Sequence, residues 1–398
     1  MKLSSRLDAI KPSPTLALNA RARALAAKGV DVVSFAAGEP DFDTPAFIKQ
    51  AAIDALHQGF TKYTATAGIP ELRQAIADKL WNDNALRFTP DQILVSCGAK
   101  HSLYNVFQAL LGPGDEVVIF SPYWVSYPDI VRLAGGEPVI VETREEDGYG
   151  PDPDALHRAI TPRTRAVVIN SPSNPSGAVL SDEALRQIAD VLEDHEEVLA
   201  ITDDIYEKLL YTGGHFHNIA NVAPMLEDRV VVINGFSKAY AMTGWRVGYA
   251  AGPKRLISGM QNIQDQSTSN PTSIAQKAAV AALTGPKDEL QKMVAEFKAR
   301  RDLFVAGLNQ IPGITCRMPE GAFYVFPNVK ALLGRRYKGT ELGDSLRLSE
   351  VLLDDFQLAA VPGAPFGAEG HLRLSFATSR QAIERGLERL GKLVSQLS

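Results

Sequence analysis

Val230-Val231-Val232-Ile233-Asn234-Gly235-Phe236-Ser237-Lys238-Ala239-Tyr240-Ala241-Met242-Thr243-Gly244-Trp245-Arg246-Val247-Gly248-Tyr249 points to both the fold class and the chemistry of this chain. Residues 230–234 form a short, uncharged, β-branched run, which fits a strand buried on both faces of a sheet. Lys238 follows that run and stands near its carboxyl end, the edge at which α/β sheets bind ligands. An amine buried there loses hydration, so its pKa falls and the neutral, nucleophilic form gains. Arg246 follows as a fixed planar cation suited to a phosphate. A bare Ser-Lys pair reads as surface. The whole string, with Gly244 and Gly248 at set offsets, reads as a site.

Outward from this stretch, residues 93–96, 116–120, 166–170, 198–202 and 247–251 are similar Val- and Ile-rich runs. Amphipathic segments separate several of them. In 181–192, Ser181 is placed to cap a helix, and Asp182 and Glu183 suit its first turn. This alternation predicts an α/β fold with a mostly parallel sheet flanked by helices. The pattern changes after about residue 285. Leu290, Met293, Val294, Phe297, Phe304 and Leu308 predict a long helix. Ile383, Leu387, Leu390, Val394 and Leu397 predict a final one, with Thr378 and Gln381 as its expected capping box. Short strands are expected at 322–326 and 372–376. A chain of 398 residues exceeds what one core usually supports. The expected division is a large domain of residues 46–310 and a small α+β domain built from 1–45 and 311–398.

Composition narrows the function classes. The chain is 45% hydrophobic and 22% charged, the proportions of a globular protein, and its net charge of −5 gives no footprint for nucleic acid. Cys97 and Cys316 are the only cysteines, too few for a disulfide framework. Asp8, Lys11, Pro12 and Pro14 interrupt any secretory leader, and no apolar run reaches bilayer length. These features predict a cytoplasmic protein with no membrane partner. No Gly-x-Gly-x-x-Gly follows a strand, which argues against a nicotinamide oxidoreductase.

Two further places carry chemistry by pattern. Gly98-Ala99-Lys100 joins the strand 93–96 to an expected helix over 100–111, and backbone N–H groups at such a junction bind anions. Asp203 ends the run 198–202 and is followed by Asp204 and Tyr206. An Asp-Asp pair alone reads as a loop cap.

Ordered blocks across nearly the whole chain resemble one family. They are Ala37-Gly38-Glu39-Pro40-Asp41-Phe42-Asp43-Thr44-Pro45, Lys62-Tyr63-Thr64 with Ala67-Gly68-Ile69-Pro70-Glu71-Leu72-Arg73, and Ser121-Pro122-Tyr123-Trp124-Val125-Ser126-Tyr127-Pro128. Asn170-Ser171-Pro172-Ser173-Asn174-Pro175-Ser176-Gly177, the Lys238 string, and Arg373-Leu374-Ser375-Phe376-Ala377-Thr378-Ser379 complete the set. Together they resemble the fold-type-I aminotransferases that use pyridoxal 5'-phosphate (PLP). Within that family the chain is most similar to bacterial aspartate aminotransferases, some of which also use prephenate.

The resemblance implies roles. Lys238 anchors PLP covalently and then serves as general base. Asp203 pairs with the pyridine nitrogen and keeps it protonated. Tyr206 and Asn174 hydrogen-bond the cofactor's phenolic oxygen, and Trp124 stacks on its ring. Gly98, Ala99, Lys100, Ser237 and Arg246 hold the phosphate. Tyr63 reaches the phosphate of a neighbouring subunit, which implies a homodimer with shared active sites. Arg373 clamps the substrate α-carboxylate, with backbone help from Gly38, while Trp124 and Asn174 also border the substrate. Lys100 meets a distal carboxylate, and Lys11 would hold the second carboxylate of prephenate. No metal is expected. The implied reaction passes the amino group of L-aspartate to 2-oxoglutarate, giving oxaloacetate and L-glutamate, with prephenate to arogenate as a further reaction. Aromatic or basic amino acids are the alternative substrates. Two positions depart from the pattern. Gly235 stands where relatives often carry a phosphate-binding serine. Asp265 aligns with a small polar residue that assists Lys100 from the partner subunit. Asp265 either pairs with Lys100, points away, or marks a substrate that is not acidic.

Overall fold

The computed structural model describes residues 1, 3–10 and 14–398. Its centre is a seven-stranded sheet of β1 (Ile93–Ser96), β2 (Glu116–Ser121), β3 (Glu137–Glu142), β4 (Thr164–Asn170), β5 (Leu199–Asp203), β6 (Val230–Gly235) and β7 (Gly248–Ala251), in the spatial order β1-β7-β6-β5-β4-β2-β3. Neighbours from β6 to β3 pair in parallel, while β7 runs antiparallel to both β6 and β1. Every residue of β1, β6 and β7 is buried, as continuous apolar runs require in a sheet covered on both sides. The expected mostly parallel sheet is therefore present. The edge strand β3 has no counterpart in the sequence reading. It carries Pro138 and faces solvent at both ends, so it shows no unbroken apolar run.

Helices cover both faces. The helix α1 (Ala99–Leu110) follows β1, and α2 (Ser126–Leu133) follows β2. Ser181 caps the helix Asp182–Glu193 by accepting the N–H of Ala184, as expected. A further helix, α3 (Lys254–Asp265), packs beside α1, and α4 (Asp288–Leu308) buries Met293, Phe297, Phe304 and Leu308. The final helix, α5 (Arg380–Ser395), corrects one detail. Its cap is Ser379, whose hydroxyl accepts the N–H of Ala382, rather than a box of Thr378 and Gln381. Ser379 is the last extended residue before the helix, so its hydroxyl alone is at the right height for the third helical amide.

A separate apolar cluster draws mainly on residues 293–397 and includes Val33 and Phe35 from the N-terminal segment. That segment pairs Val33–Ser34 in parallel with Leu358–Ala359, and Phe35 then accepts the N–H of Ser375. The strand Leu372–Ser375 lies between Val361–Pro362 and Tyr324–Val325 in a small antiparallel sheet. These pairings bring Ala36–Glu39 against Arg373 and over the carboxyl edge of the central sheet. Among the described residues, no helix is long and apolar enough to cross a membrane, and Cys97 and Cys316 are both free thiols.

Candidate active site

A cavity of about 600 Å³ opens at the carboxyl edge of the central sheet. Lys238, three residues beyond β6, enters it and donates to the Gly38 carbonyl at 2.5 Å. Its ammonium stands 5.6 Å from the Phe323 ring and 5.9 Å from the Tyr206 ring. Burial, then the charge of Arg373, holds the Lys238 amine down at about 8. About a tenth of the amine is thus neutral at pH 7, far more than for an ordinary lysine.

Asp203 is the last residue of β5 and is buried. Burial pushes its carboxyl up to about 6, against the hydrogen bonds that favour the ion. The Tyr127 hydroxyl donates to Oδ2 at 2.6 Å and the Ile205 N–H to Oδ1 at 3.4 Å. Asp204 turns away into the core, where Asn218 donates to it at 2.8 Å. A buried carboxylate with spare acceptor capacity is suited to a cationic partner in the cavity.

Arg373 lies on the opposite wall. It donates to the Ala36 carbonyl at 2.9 Å and to Asn174 Oδ1 at 3.3 Å, and its guanidinium covers the faces of Tyr324 and Phe366 at 4.7 and 5.2 Å. Its Nε is buried with no partner. Burial lowers its pKa, but an arginine remains a cation at neutral pH. The Tyr206 and Tyr324 hydroxyls meet at 2.9 Å beside it.

An anion cradle completes the site. Gly98 has φ +90°, and a Cβ there would lie 2.3 Å from Arg246 Nη2, so only glycine lets the guanidinium pack against the backbone before α1. Arg246 is braced by the carbonyls of Thr243 at 2.9 Å and Cys97 at 3.3 Å. Among the described residues, no acceptor meets the N–H groups of Ala99 and Lys100 at the start of α1. Free amides, the positive end of a helix and an arginine together suit a phosphate. Ser237 lines the same cavity. Gly235 does not, because it packs against β7: a Cβ there would lie 3.0 Å from Gly248 Cα. The Lys100 ammonium sits 4.8 Å over the Trp124 ring, and burial plus the nearby Arg246 lower its pKa.

The expected residues converge. Gly38, Ala99, Lys100, Trp124, Asn174 and Asp203 line this one cavity, as do Tyr206, Ser237, Lys238, Arg246 and Arg373, with Gly98 behind the arginine. Tyr63 stays outside it and is 90% exposed. Lys11 lies outside the described residues. Asp265 is also absent from the cavity wall, and its carboxylate accepts the hydroxyl of Thr66. Sequence reasoning missed Tyr127, Tyr324, Glu39 and Arg23. Tyr127 and Glu39 lie inside blocks that were singled out for other residues. Tyr324 sits in an apolar strand that reads as core, and Arg23 in a helix with no motif.

The pattern described as Aminotransferase class I and II matches residues 30–390. The chain belongs to that family. This aminotransferase is 50% identical to a Nitrosomonas europaea protein named aspartate/prephenate aminotransferase, over 99% of this chain and 100% of the relative. Its fold matches the crystal structure of the aspartate aminotransferase from Rhizobium meliloti with a TM-score of 0.97, 46% identity and full coverage of both chains. It matches the aspartate aminotransferase from Thermus thermophilus with maleate at a TM-score of 0.93 and 46% identity, over 99% of this chain and 100% of the other. In the aminotransferase described here, the amine, the buried carboxylate, the anion cradle and the buried arginine face one another across a single cavity.

Proposed function

We propose that the protein catalyses PLP-dependent transamination between L-aspartate and 2-oxoglutarate in the cytoplasm, as a homodimer with shared active sites. A large domain of residues 46–310 and a small one of 1–45 and 311–398 would form each subunit. The observation that carries the reading is Arg373. It is a buried arginine on the cavity wall, opposite a lysine of lowered pKa, with an unpartnered Nε. A planar cation in that position grips a carboxylate in two places and fixes the Cα–H bond beside the amine.

The residues fit PLP. Asp203 would hold its ring nitrogen, Tyr206 and Asn174 its phenolic oxygen, and Trp124 its face. Gly98, Ala99, Lys100, Ser237 and Arg246 would hold its phosphate, with Tyr63 supplied by the partner subunit. Bound PLP supplies the aldehyde carbon that takes the amino group and a protonated ring that withdraws electrons from Cα. Lys238 would be the residue that holds PLP covalently. When free, its amine would be the base that takes the Cα proton and holds it for return. Arg373, Gly38 and Asn174 hold the substrate so that the broken bond faces that amine. Lys100 is the cation available to a distal carboxylate, and dicarboxylic substrates therefore suit the cavity.

Prephenate is a second reading, favoured by the name of the Nitrosomonas europaea relative. Its cation would be Lys11.

The deciding experiment adds L-aspartate alone to the purified enzyme. Conversion of the cofactor from its aldehyde to its amine form, with one oxaloacetate released per site, is expected. Release of pyruvate and ammonia would instead indicate elimination, and faster conversion with arginine or tyrosine would overturn the aspartate assignment.

A further inference from the structure

Asp265 is the last residue of α3, where the negative end of the helix disfavours a carboxylate. It is exposed, and among the described residues no cation pairs with it. Its one specific contact is the hydroxyl of Thr66. Gln264, the residue before it, is fully buried and donates through Nε2 to the Thr66 carbonyl at 2.8 Å and to the Val95 carbonyl at 2.8 Å. Two consecutive residues at the end of α3 therefore grip Thr66, one by its backbone and one by its side chain.

Thr66 belongs to a segment that buried side chains hold from its inner side. Gln276, also fully buried, donates to Thr64 Oγ1 at 3.0 Å and accepts the Ile69 N–H at 2.8 Å. Val95 donates to the Ala67 carbonyl at 3.0 Å. Tyr63 projects from the outer end of this held segment, 90% exposed and outside its own cavity. The buried glutamines hold this segment at Thr64, Thr66 and Ile69. The Asp265–Thr66 contact adds an outer restraint three residues from the tyrosine.

We propose that Asp265 is a positioning residue: by accepting the Thr66 hydroxyl it sets the segment that presents Tyr63 to the partner subunit's cofactor phosphate. This rests on the shared-site reading of Tyr63. The carboxylate is committed to Thr66 and does not select against acidic substrates.

The test uses the dimeric holoenzyme and reads the PLP dissociation constant by equilibrium dialysis, with kcat/KM for aspartate and alanine alongside. One exposed hydroxyl–carboxylate hydrogen bond of this kind makes a difference of roughly threefold to tenfold. Asp265→Ala and Thr66→Val should each weaken PLP binding by about that factor, and the double variant should be no worse than either single one. Asp265→Asn and Thr66→Ser keep the acceptor and the donor, and both should bind PLP as the unmodified enzyme does. The preference for aspartate over alanine should be the same in all four. An Asp265→Asn enzyme that favours aspartate more strongly would overturn the proposal, because lost repulsion would then be the cause. Additive losses in the double variant would overturn it too. Tyr63→Phe separates the two readings. If it weakens PLP binding while Asp265→Ala does not, the proposal alone fails. If Tyr63→Phe leaves PLP binding unchanged, the shared-site reading falls and takes the proposal with it.

Discussion

Replacing Tyr127 by phenylalanine tests how Asp203, the carboxylate proposed to meet the PLP ring nitrogen, is tuned. Tyr127 is 1% exposed, and a phenyl ring fills nearly the same space, so the substitution removes one hydrogen bond and leaves Asp203 as dry as before. A hydrogen bond to a charged group contributes about 1.5–3 kcal/mol, and one pKa unit corresponds to about 1.4 kcal/mol. The Asp203 carboxyl, at about 6 with the bond in place, should therefore rise by roughly one to two units without it. At pH 7 the ionised fraction would fall from about nine-tenths to between about a half and a tenth. Only the ion can pair with a protonated ring. The assay is PLP affinity in a Lys238→Ala background, where no covalent link contributes, compared between Tyr127 and Tyr127→Phe across pH. The variant should bind about twofold to tenfold more weakly at pH 7, and the gap should close by pH 9, where both carboxyls are ionised. Equal affinities at pH 7, or a loss of the same size at pH 7 and pH 9, would refute the reasoning.

Asp203→Asn should stabilise the apoenzyme while weakening cofactor binding. A native carboxyl raised from 3.8 to about 6 penalises the folded state by up to about 3 kcal/mol above pH 6, and the penalty fades as pH falls toward 3.8, so the gain in melting temperature should be larger at pH 8 than at pH 4.5. Covalent loading of apoenzyme with PLP should speed up as pH rises through about 8, where Lys238 loses its proton, and Lys238→Ala should leave no borohydride-trappable link. Lys100→Ala should raise KM for aspartate more than for alanine, as measured by half-reaction rates. Lys11→Ala should reduce prephenate turnover more than oxaloacetate turnover, and equal loss with both would remove Lys11 from the prephenate reading.

The core strands were legible because β1, β6 and β7 are buried on both faces and therefore spell unbroken apolar runs. The edge strand β3 is wetted at both ends and has no such run, so only its pairing with β2 identifies it. The site was legible wherever a residue type and its local neighbours carry the chemistry, as in Lys238, Arg246 and Gly98. The long-range contacts were not legible, although Arg373, Asn174 and Tyr206 were each named from their blocks. Arg373 meets Asn174 across 199 residues of sequence, and the Tyr206–Tyr324 pair spans 118. Nothing local in Tyr324 distinguishes a hydroxyl aimed at an active site from one at the rim of a core. For Asp265, alignment of its position gave an expectation about the partner subunit, whereas the donor that occupies it, Thr66, lies 199 residues earlier in the same chain.

The reversed strand β7 is what brings the two halves of the anion cradle together. Because β7 runs against its neighbours, the chain leaves the sheet after Gly235, passes Lys238 and re-enters from the same edge just after Arg246, and pairing with β1 then presses Gly248 against Gly98 and Ala99. The anchor and half of the phosphate cradle thus come from one short excursion, but the other half was laid down about 150 residues earlier in the chain. Such a distant pairing is slow to form. Until β7 pairs with β1, Arg246 and the amides at the start of α1 are not held together and the phosphate cradle is incomplete. A phosphate-bearing ligand would therefore stabilise those molecules whose sheet has closed between β7 and β1.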